Sequence, residues 1–180
     1  AVPFMKTGGL ADVTGSLPKY FDKKNYDVRV ILPKYVCMEE RWKGQLHFLC
    51  HFYVNLSWRK QYVGIFETTY DGITYYLVDN EFYFAGNAPY NNIYEDVEKF
   101  AFFSKAVLEA LPYLDFCPDV IHCHDWQTGL IPVFLRTLYG DEEYYTGIKT
   151  VFSIHNLKFQ GRWKLPAVMD ITGLPEQIFT

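Results

Sequence analysis

The sequence predicts an α/β fold in which a parallel sheet has helices on both faces and an antiparallel β-hairpin is inserted. Two observations predict it. Two β-rich runs, residues 62–70 and 73–79, flank Asp71-Gly72, a dipeptide that favours the tight turn of a hairpin. After this hairpin, helical patterns alternate with short apolar runs, which is typical of parallel strands connected through helices.

Length and composition suit a folded protein. The 180-residue chain is long enough for one domain, or two small ones, with a substantial core, and its 49% hydrophobic residues argue against disorder. A net charge of −4 without a basic stripe argues against a nucleic-acid partner, and neither a membrane-length apolar run nor a signal-peptide pattern occurs. The 19% aromatic residues would fill a core or line a sugar-binding cleft. Because the four cysteines form no CxxC pair, they are interpreted as reduced thiols of an intracellular protein, with a chance disulfide as the less favoured alternative.

Each element of the first half follows from a local pattern. Apolar residues three or four apart predict a helix over 10–20, which Pro18 is expected to kink or end. Residues 28–32 are predicted to form a buried strand, and residues 46–58 are β-rich. The segment 80–93, rich in Gly, Asn and Pro, is interpreted as a loop.

The second half is predicted to alternate between helix and strand. A helix over 96–111 has a core stripe of Val97, Phe100, Phe103, Val107 and Leu111. Short apolar strands over 119–123 and 149–154 flank a helix over 126–139 that Gly140 is expected to cap. The remaining tail is turn-rich, with a weak helical signal.

A first candidate site is KTGGLAD, from Lys6 to Asp12, at the start of the first predicted helix. Gly8 and Gly9 let a ligand approach the backbone closely, and the helix presents free N–H groups and a positive dipole end. With the charge of Lys6, this arrangement suits a phosphate or pyrophosphate. Because the motif is neither a Walker loop nor GxGxxG, a plain tight turn is an equal interpretation. Asp12 either complements the helix dipole or accepts bonds from sugar hydroxyls.

A second candidate is VIHCHDWQTG, residues 120–129, at the carboxyl end of a predicted strand, where open α/β sheets bind ligands. His122 and His124 share one strand face, so a metal pair is conceivable. No third ligand has suitable spacing, however, and a structural role for His122 is favoured. Trp126 would either stack on a sugar ring or pack in the core.

A third candidate follows the next strand, in FSIHNL and then FQG. His155 would donate to a hydroxyl or phosphate and Asn156 would fix its orientation, although a lone histidine is more often structural. We expect the strands over 28–32, 120–123 and 150–154 to be neighbours in one parallel sheet. The three candidate sites, around Lys6, His124 and His155, would then converge at its carboxyl-end edge.

Together these segments resemble the bacterial glycogen synthase and plant starch synthase family. Three segments are similar to its amino-terminal signature: KTGGLADV, GSLPK and DVRVILPKY. Three more are similar to later segments of the family: DVIHCHDWQTGLIP, VFSIHNLKFQG and the predicted helix EKFAFFSKAVLEAL. The likeness covers most of residues 1–161. It implies the amino-terminal, Rossmann-like half of a two-domain GT-B glycosyltransferase. Such an enzyme moves glucose from ADP-glucose to the non-reducing 4-hydroxyl of an α-1,4-glucan, with retention at the anomeric carbon.

The resemblance also implies that residues 1–180 form the acceptor-side domain of a cleft between two Rossmann-like domains. Because the chain begins at Ala1 and stops at Thr180 after an apolar stretch, we expect truncation at both ends. The carboxyl-terminal domain would be absent and the isolated chain inactive. The implied partners are ADP-glucose, glycogen or a maltooligosaccharide, and that missing domain, with no nucleic acid, membrane, metal or cofactor. The implied compartment is the cytoplasm, or the plastid in a plant.

Catalytic roles carried over by the resemblance fall on Lys6 against the donor diphosphate, Asp12 beside the sugar and acceptor cleft, and His155 against the transferred glucose. The expected substrate-binding residues are Lys6, Gly8, Gly9, Asp12, Tyr90, Trp126, Gln127, His155 and Asn156. Enzymes of this kind have no obvious protein nucleophile, and the leaving diphosphate is thought to help deprotonate the acceptor. The protein would therefore act by positioning and charge stabilisation.

Two departures from the family pattern are visible. Gln127 replaces a common histidine, which keeps a hydrogen-bonding tip but removes a titratable ring. The family has a strand ahead of the Lys-Gly-Gly loop, whereas only residues 1–5 precede Lys6 here, so we expect that this strand is either missing or lies before the first numbered residue. Three other functions remain open: a glucan-binding module without catalysis, a GT-B relative that uses UDP-glucose, and a metal hydrolase built on His122 and His124. The KTGGL form favours the synthase over the UDP-glucose relative.

Overall fold

The computed structural model describes residues 1–90 and 92–179, with the backbone alone for Ile93 and Tyr94. Asn91, which falls in the predicted loop, lies outside the described residues, as does Thr180. The chain divides into two compact units, one of residues 1–52 and 63–91, the other of residues 53–62 and 92–180. Within the described part of the chain, no helix is both long enough and apolar enough to cross a membrane.

The first helix, α1, spans Gly9–Ser16 and passes into a 3-10 turn, Leu17–Tyr20. Pro18 is the second residue of this turn and lacks the N–H that a continuing α-helix would use, so the helix ends as predicted. Gly15 lies against the amino-terminal residues. A Cβ at Gly15 would lie 2.5 Å from the carbonyl oxygen of Val2, so a larger residue would force the two segments apart.

Four strands form one sheet in the order β1-β4-β3-β2: β1 (Arg29–Pro33), β2 (His47–Leu56), β3 (Arg59–Tyr70) and β4 (Ile73–Asp79). A single-turn helix, α2 (Glu40–Lys43), separates β1 from β2. Strands β3 and β4 pair antiparallel across a turn in which Asp71 and Gly72 have φ values of 55° and 70°. Two positive φ values are what a two-residue type I′ turn requires, so the predicted hairpin is confirmed.

The core of the first unit is rich in aromatic side chains. Its buried members are Phe4, Leu32, Met38, Ile73, Tyr75 and Leu77. The Phe4 ring meets Trp42 and Tyr75 edge-on, with centroids 5.4 and 4.8 Å apart, a geometry that the ring quadrupoles favour. Part of the aromatic surplus therefore fills the core.

The second unit combines helices with a two-stranded parallel sheet. Helix α3 (Ile93–Ala110) continues into a 3-10 turn, Leu111–Tyr113, and each residue of its predicted core stripe is at most 6% exposed. Strands β5 (Val120–His124) and β6 (Lys149–Ser153) pair in parallel. The other elements are a 3-10 turn (Trp126–Thr128), α4 (Leu130–Thr137), α5 (Leu165–Thr172) and a 3-10 turn (Glu176–Ile178). The predicted α/β class, with parallel strands and an inserted hairpin, is confirmed.

Arg59 ties the turn between β2 and β3 to two helices of the second unit. Its guanidinium group lies 3.1 Å from Glu98 of α3 and 2.8 Å from Asp170 of α5, and the side chain is only 13% exposed. The guanidinium carbon also lies 4.3 Å from the centroid of the Trp58 ring, whose indole N–H donates to Asp170. Hydrogen bonds from Arg59 and then from Trp58 lower the pKa of the Asp170 carboxyl.

The expected three-strand neighbourhood is wrong for β1. Its parallel partner is β4, with Ile31 opposite Tyr76, and β5 pairs with β6 in a separate sheet. The second strand of the hairpin runs alongside β1 and takes up one of its hydrogen-bonding edges, which a local hydrophobic pattern does not reveal.

Two helix predictions also need correction. The helix over 126–139 is broken, because the Thr128 hydroxyl donates to the His124 carbonyl oxygen at 2.9 Å and the chain forms a 3-10 turn before α4 begins. Its C-cap is Leu138 rather than Gly140. The weakly predicted tail contains a regular helix, α5, which Gly173 ends in the left-handed conformation at φ 72°.

All four cysteines are free thiols, as predicted. Cys123 lies in β5, is 1% exposed, and alternates with its two histidine neighbours across the strand. Burial raises the pKa of the Cys123 thiol to about 12. Cys117, in contrast, is exposed.

Candidate functional site

Three histidines form a row at the carboxyl ends of β5 and β6. His122 and His124 lie on the same face of β5, and their ring centroids are 4.1 Å apart. His155 follows β6, and its ring lies edge to edge with that of His124, with centroids 5.2 Å apart and 20° between the planes. The prediction that two parallel neighbours bring His124 and His155 to one sheet edge is confirmed.

Two short hydrogen bonds hold this histidine row. His122 Nε2 lies 2.7 Å from Ser153 Oγ, and His124 Nδ1 lies 2.9 Å from His155 Nε2. The second distance requires one ring to donate its N–H to the lone pair of the other. The bond to Ser153 supports the structural role favoured for His122. Among residues 1–90 and 92–179, no three His, Cys, Asp or Glu side chains are grouped so that they could hold a metal ion.

Asp125 anchors the segment that carries His155. Its carboxylate Oδ1 accepts the backbone N–H of His155 at 2.7 Å and that of Asn156 at 3.4 Å. The Asp125 N–H in turn donates to the Ser153 carbonyl oxygen at 2.9 Å. Asp125 is 7% exposed and has φ 56° and ψ −179°, a conformation that residues other than glycine rarely adopt. Such strain persists where the surroundings fix the residue, typically at functional sites.

Burial lowers the pKa of two histidines of this row. Desolvation, and then the proximity of His122 and His155, lowers the pKa of His124 to about 4. Desolvation and then His155 also lower the pKa of His122. At neutral pH His124 therefore carries one ring proton and no charge. It contributes a neutral donor and a lone pair to the row, groups that can hydrogen-bond without adding charge.

Trp126 both packs and lines a cavity within the second unit. Its ring lies 5.1 Å from Phe100 in an edge-on contact and 5.0 Å from Trp163. A cavity of about 390 Å³ is lined by Asp96, Trp126, Lys158, Phe159, Gln160, Gly161, Arg162 and Trp163. Gly161 has φ 61°, and a Cβ there would lie 2.6 Å from Trp126 Cβ, so this wall requires glycine. Aromatic walls with a few polar groups are typical of small-molecule sites.

Lys6 and Asp12 come together in the first unit. Lys6 Nζ lies 2.7 Å from the Asp12 carboxylate, and both side chains are more than half exposed, so the pair is weak and open to another anion. Gly8 precedes α1 without a side-chain cap. No other part of the described chain lies within 4 Å of the Cβ positions of Gly8 and Gly9. Packing within the protein therefore does not require glycine at these two positions. The open space beside them agrees with the close approach of a ligand to the backbone.

The other predicted residues have less distinctive settings. Tyr90 is 41% exposed and belongs to the first unit. Gln127 lies half-buried in the 3-10 turn, where its carbonyl oxygen is 3.5 Å from the Ser104 hydroxyl. The Asn156 side-chain oxygen accepts the Lys158 N–H at 2.9 Å, so it shapes the loop rather than contacting the His155 ring. Because the predicted residues fall in different units, their convergence on one cleft stays a prediction.

Sequence reasoning did not single out three residues that build this site. Asp125, Ser153 and Gly161 lie within the three candidate motifs, and the sequence alone assigns none of them a role. A usable signal existed for Asp125, since an Asp that directly follows a strand and precedes a helical turn often bonds to backbone N–H groups. The roles of Ser153 and Gly161 depend on contacts with distant segments.

The fold and the site together define an α/β protein with polar side chains at the carboxyl ends of parallel strands, the place where open α/β sheets bind ligands. The particular family follows from comparison with known proteins. A family model described as the starch synthase catalytic domain matches residues 1–180, and the chain belongs to this family.

Named relatives and a solved structure agree with this assignment. Glycogen synthases of Lachnospira eligens and Lachnoclostridium phytofermentans are 62% and 63% identical over 180 residues, and that of Desulforamulus reducens is 48% identical over 178. The chain spans 38%, 38% and 37% of their lengths. The catalytic domain of starch synthase IV from Arabidopsis thaliana, bound to ADP and acarbose, matches with a TM-score of 0.84 at 28% identity. That match covers 97% of this chain and 36% of the other. The resemblance and the GT-B fold class are confirmed.

Proposed function

We propose that the protein to which this chain belongs transfers glucose from ADP-glucose to the non-reducing 4-hydroxyl of an α-1,4-glucan, with retention at the anomeric carbon. The observation that carries the proposal is the match of the whole chain to the starch synthase catalytic family. Relatives named glycogen synthase and the solved starch synthase with ADP and acarbose support the same donor and acceptor classes.

Lys6, Gly8, Gly9 and Asp12 form the proposed donor side of the site. The exposed Lys6 would exchange its weak pair with Asp12 for the donor diphosphate, which then also meets the uncapped start of α1. Asp12 would be released to accept hydrogen bonds from sugar hydroxyls. Backbone without side chains at the two glycines allows the close approach that this arrangement needs.

His155 would contact the transferred glucose through its ring and its backbone carbonyl. Asp125 holds its backbone N–H at 2.7 Å, so the residue is preorganised before substrate binds. Trp126, Gln127, Asn156 and Tyr90 complete the proposed substrate-binding set.

In the proposed reaction, the bond from glucose C1 to the diphosphate oxygen breaks and a bond from C1 to the acceptor O4 forms on the same face. The departing ADP takes up the acceptor proton, and Lys6 stabilises the negative charge that grows as ADP leaves. The nucleotide sugar brings its own activated bond, so no cofactor is included. The proposal also includes a second, donor-holding Rossmann-like domain and a cytoplasmic location, or a plastid in a plant.

Kinetics of the full-length protein test this assignment, with ADP-glucose and UDP-glucose as donors and glycogen as acceptor. Lys6→Ala should lower kcat about a hundredfold, because the lost contact strengthens in the transition state. Lys6→Gln should recover little. Lys24→Ala, at an exposed lysine of the same unit, is the matched control and should stay within about twofold.

Two of the alternatives give results that differ from glucose transfer from ADP-glucose. Glucan binding without transfer would indicate a non-catalytic module, and transfer from UDP-glucose alone would indicate the other GT-B relative. Near-wild-type kcat in a well-folded Lys6→Ala variant would remove Lys6 from the mechanism. The isolated 180-residue chain should show no transfer, and activity from a clean preparation would contradict the need for a second domain.

A further inference from the structure

We propose that His124 is a positioning residue for His155: through its Nδ1 it fixes the orientation and the tautomer of the His155 ring. His155 Nδ1 is then left as the nitrogen that meets the substrate. The kinetic consequence of this inference rests on the proposed function, whereas the hydrogen bond itself does not.

His155 needs an external hold because it follows the end of β6 and is exposed. Asp125 restrains only its backbone, through the N–H at 2.7 Å. The ring is restrained by His124 through the 2.9 Å bond between His124 Nδ1 and His155 Nε2, which joins the two rings edge to edge with only 20° between their planes. Backbone and side chain are thus fixed by two consecutive residues, Asp125 and His124.

His124 is itself well anchored. It lies in the β5–β6 ladder opposite Ser153, and its carbonyl oxygen accepts the Thr128 hydroxyl at 2.9 Å. On its other side its ring contacts the His122 ring, with centroids 4.1 Å apart and 33° between the planes. His122 is in turn bonded to Ser153 at 2.7 Å. The support therefore extends from the paired strands to the exposed ring.

The shared bond couples the protons of the two rings. His124 is neutral at neutral pH, because burial and its histidine neighbours hold its pKa near 4. If His124 donates from Nδ1, a neutral His155 keeps its proton on Nδ1 and presents a donor to substrate. The reverse arrangement would present a lone pair. The role of His155 as a donor to a substrate hydroxyl selects the first arrangement.

Two amide variants of His124 separate positioning from mere packing. Asparagine places its amide near the position of histidine Nδ1, whereas glutamine places it near Nε2. His124→Asn should therefore keep a donor toward His155 and hold kcat within about fivefold of wild type. His124→Gln should lower kcat by about tenfold to a hundredfold, with smaller changes in KM, because His155 is misplaced. Both are measured in the full-length protein with ADP-glucose and glycogen.

Nitrogen NMR of the ¹⁵N-histidine-labelled full-length protein, with His155→Gln for assignment, supplies a readout that does not depend on activity. We expect His155 to hold the Nδ1–H tautomer in wild type and in His124→Asn, and to mix tautomers in His124→Gln. An Nε2–H tautomer in wild type, or equal kcat in the two folded amide variants, would overturn the proposal. If wild type transfers no glucose but the tautomers behave as expected, the proposed function fails and the positioning stands.

Discussion

Replacing Asp125 separates the contributions of its hydrogen bond and its strained backbone. Asp125→Ala removes the carboxylate that accepts the His155 N–H at 2.7 Å, a charge-assisted bond worth about 2 kcal/mol. The contact with the Asn156 N–H, at 3.4 Å, is too long to add much. Alanine keeps the strained φ of 56°, so the whole loss is expected to appear as reduced stability.

Asp125→Gly loses the same bond but releases the strain. Relief of about 2 kcal/mol, within the usual range for such conformations, exceeds the roughly 1 kcal/mol of extra backbone entropy that glycine loses on folding. The glycine variant should therefore be about 1 kcal/mol more stable than the alanine variant. This order is the reverse of the one found at ordinary positions, where glycine is less stable than alanine.

Calorimetry of the full-length protein tests this order of stabilities. The quantity compared is the Tm of the unfolding transition that includes the domain containing Asp125. At this size 1 kcal/mol corresponds to about 2–4 °C, so Asp125→Ala should lower Tm by about 4–8 °C and Asp125→Gly by about half as much. Asp119→Ala, at an exposed residue just before β5, is the control and should lie within about 0.5 kcal/mol of wild type. A glycine variant less stable than the alanine variant would refute the strain, and a wild-type Tm in Asp125→Ala would refute the anchoring bond.

Other predictions concern the cavity wall, the arginine bridge, pH and metals. Gly161→Ala should lower the free energy of unfolding by about 2–4 kcal/mol, because an alanine there would both adopt a left-handed φ and clash with Trp126. An unchanged Tm would contradict this expectation. Arg59→Lys should not restore the Tm lost in Arg59→Ala, since an ammonium cannot bridge two carboxylates as a guanidinium does; full recovery would count against the bridge. The pKa of His124 in the folded protein, about 4, lies below its ordinary value of 6.5. Between pH 6.5 and pH 4 the unfolded chain therefore binds a proton at His124 that the folded chain does not, and the free energy of unfolding should decrease as the pH falls through this range. His124→Asn should make this decrease smaller. If plots of stability against pH superimpose for wild type and His124→Asn, His124 is not responsible for the decrease. Dialysis against EDTA should leave glucosyl transfer unchanged, whereas a loss that a divalent cation restores would reveal a metal site.

Local signals predicted much of the fold. Asp71-Gly72 and the apolar stripe of α3 each lie within one element, so periodicity and turn chemistry suffice to find them. The pairing of β1 with β4 depends on chain segments more than forty positions apart in the register, from Arg29 opposite Thr74 onward. Periodicity carries no information about such partners.

Some residues of the candidate site could likewise be predicted from the sequence, and others could not. His124 and His155 could be placed together because each follows or ends a strand, and parallel neighbours share an edge. The strained backbone of Asp125 could not be predicted, since no residue type except glycine signals a positive φ strongly. The need for Gly161 arises only from the packed Trp126 ring.

Chemical modification of the Cys123 thiol can report the local opening of strand β5. Cys123 lies between His122 and His124 in sequence and is buried, and a pKa of about 12 leaves about one thiolate in 10⁵ at neutral pH. A thiol reagent therefore modifies it appreciably only when the strand opens locally, and the labelling rate measures the free energy of that opening. The exposed Cys117 reacts without such opening and calibrates the reagent. Mass spectrometry of the two peptides would follow the loosening of the strand that supports the histidine row, in a protein with no residue changed.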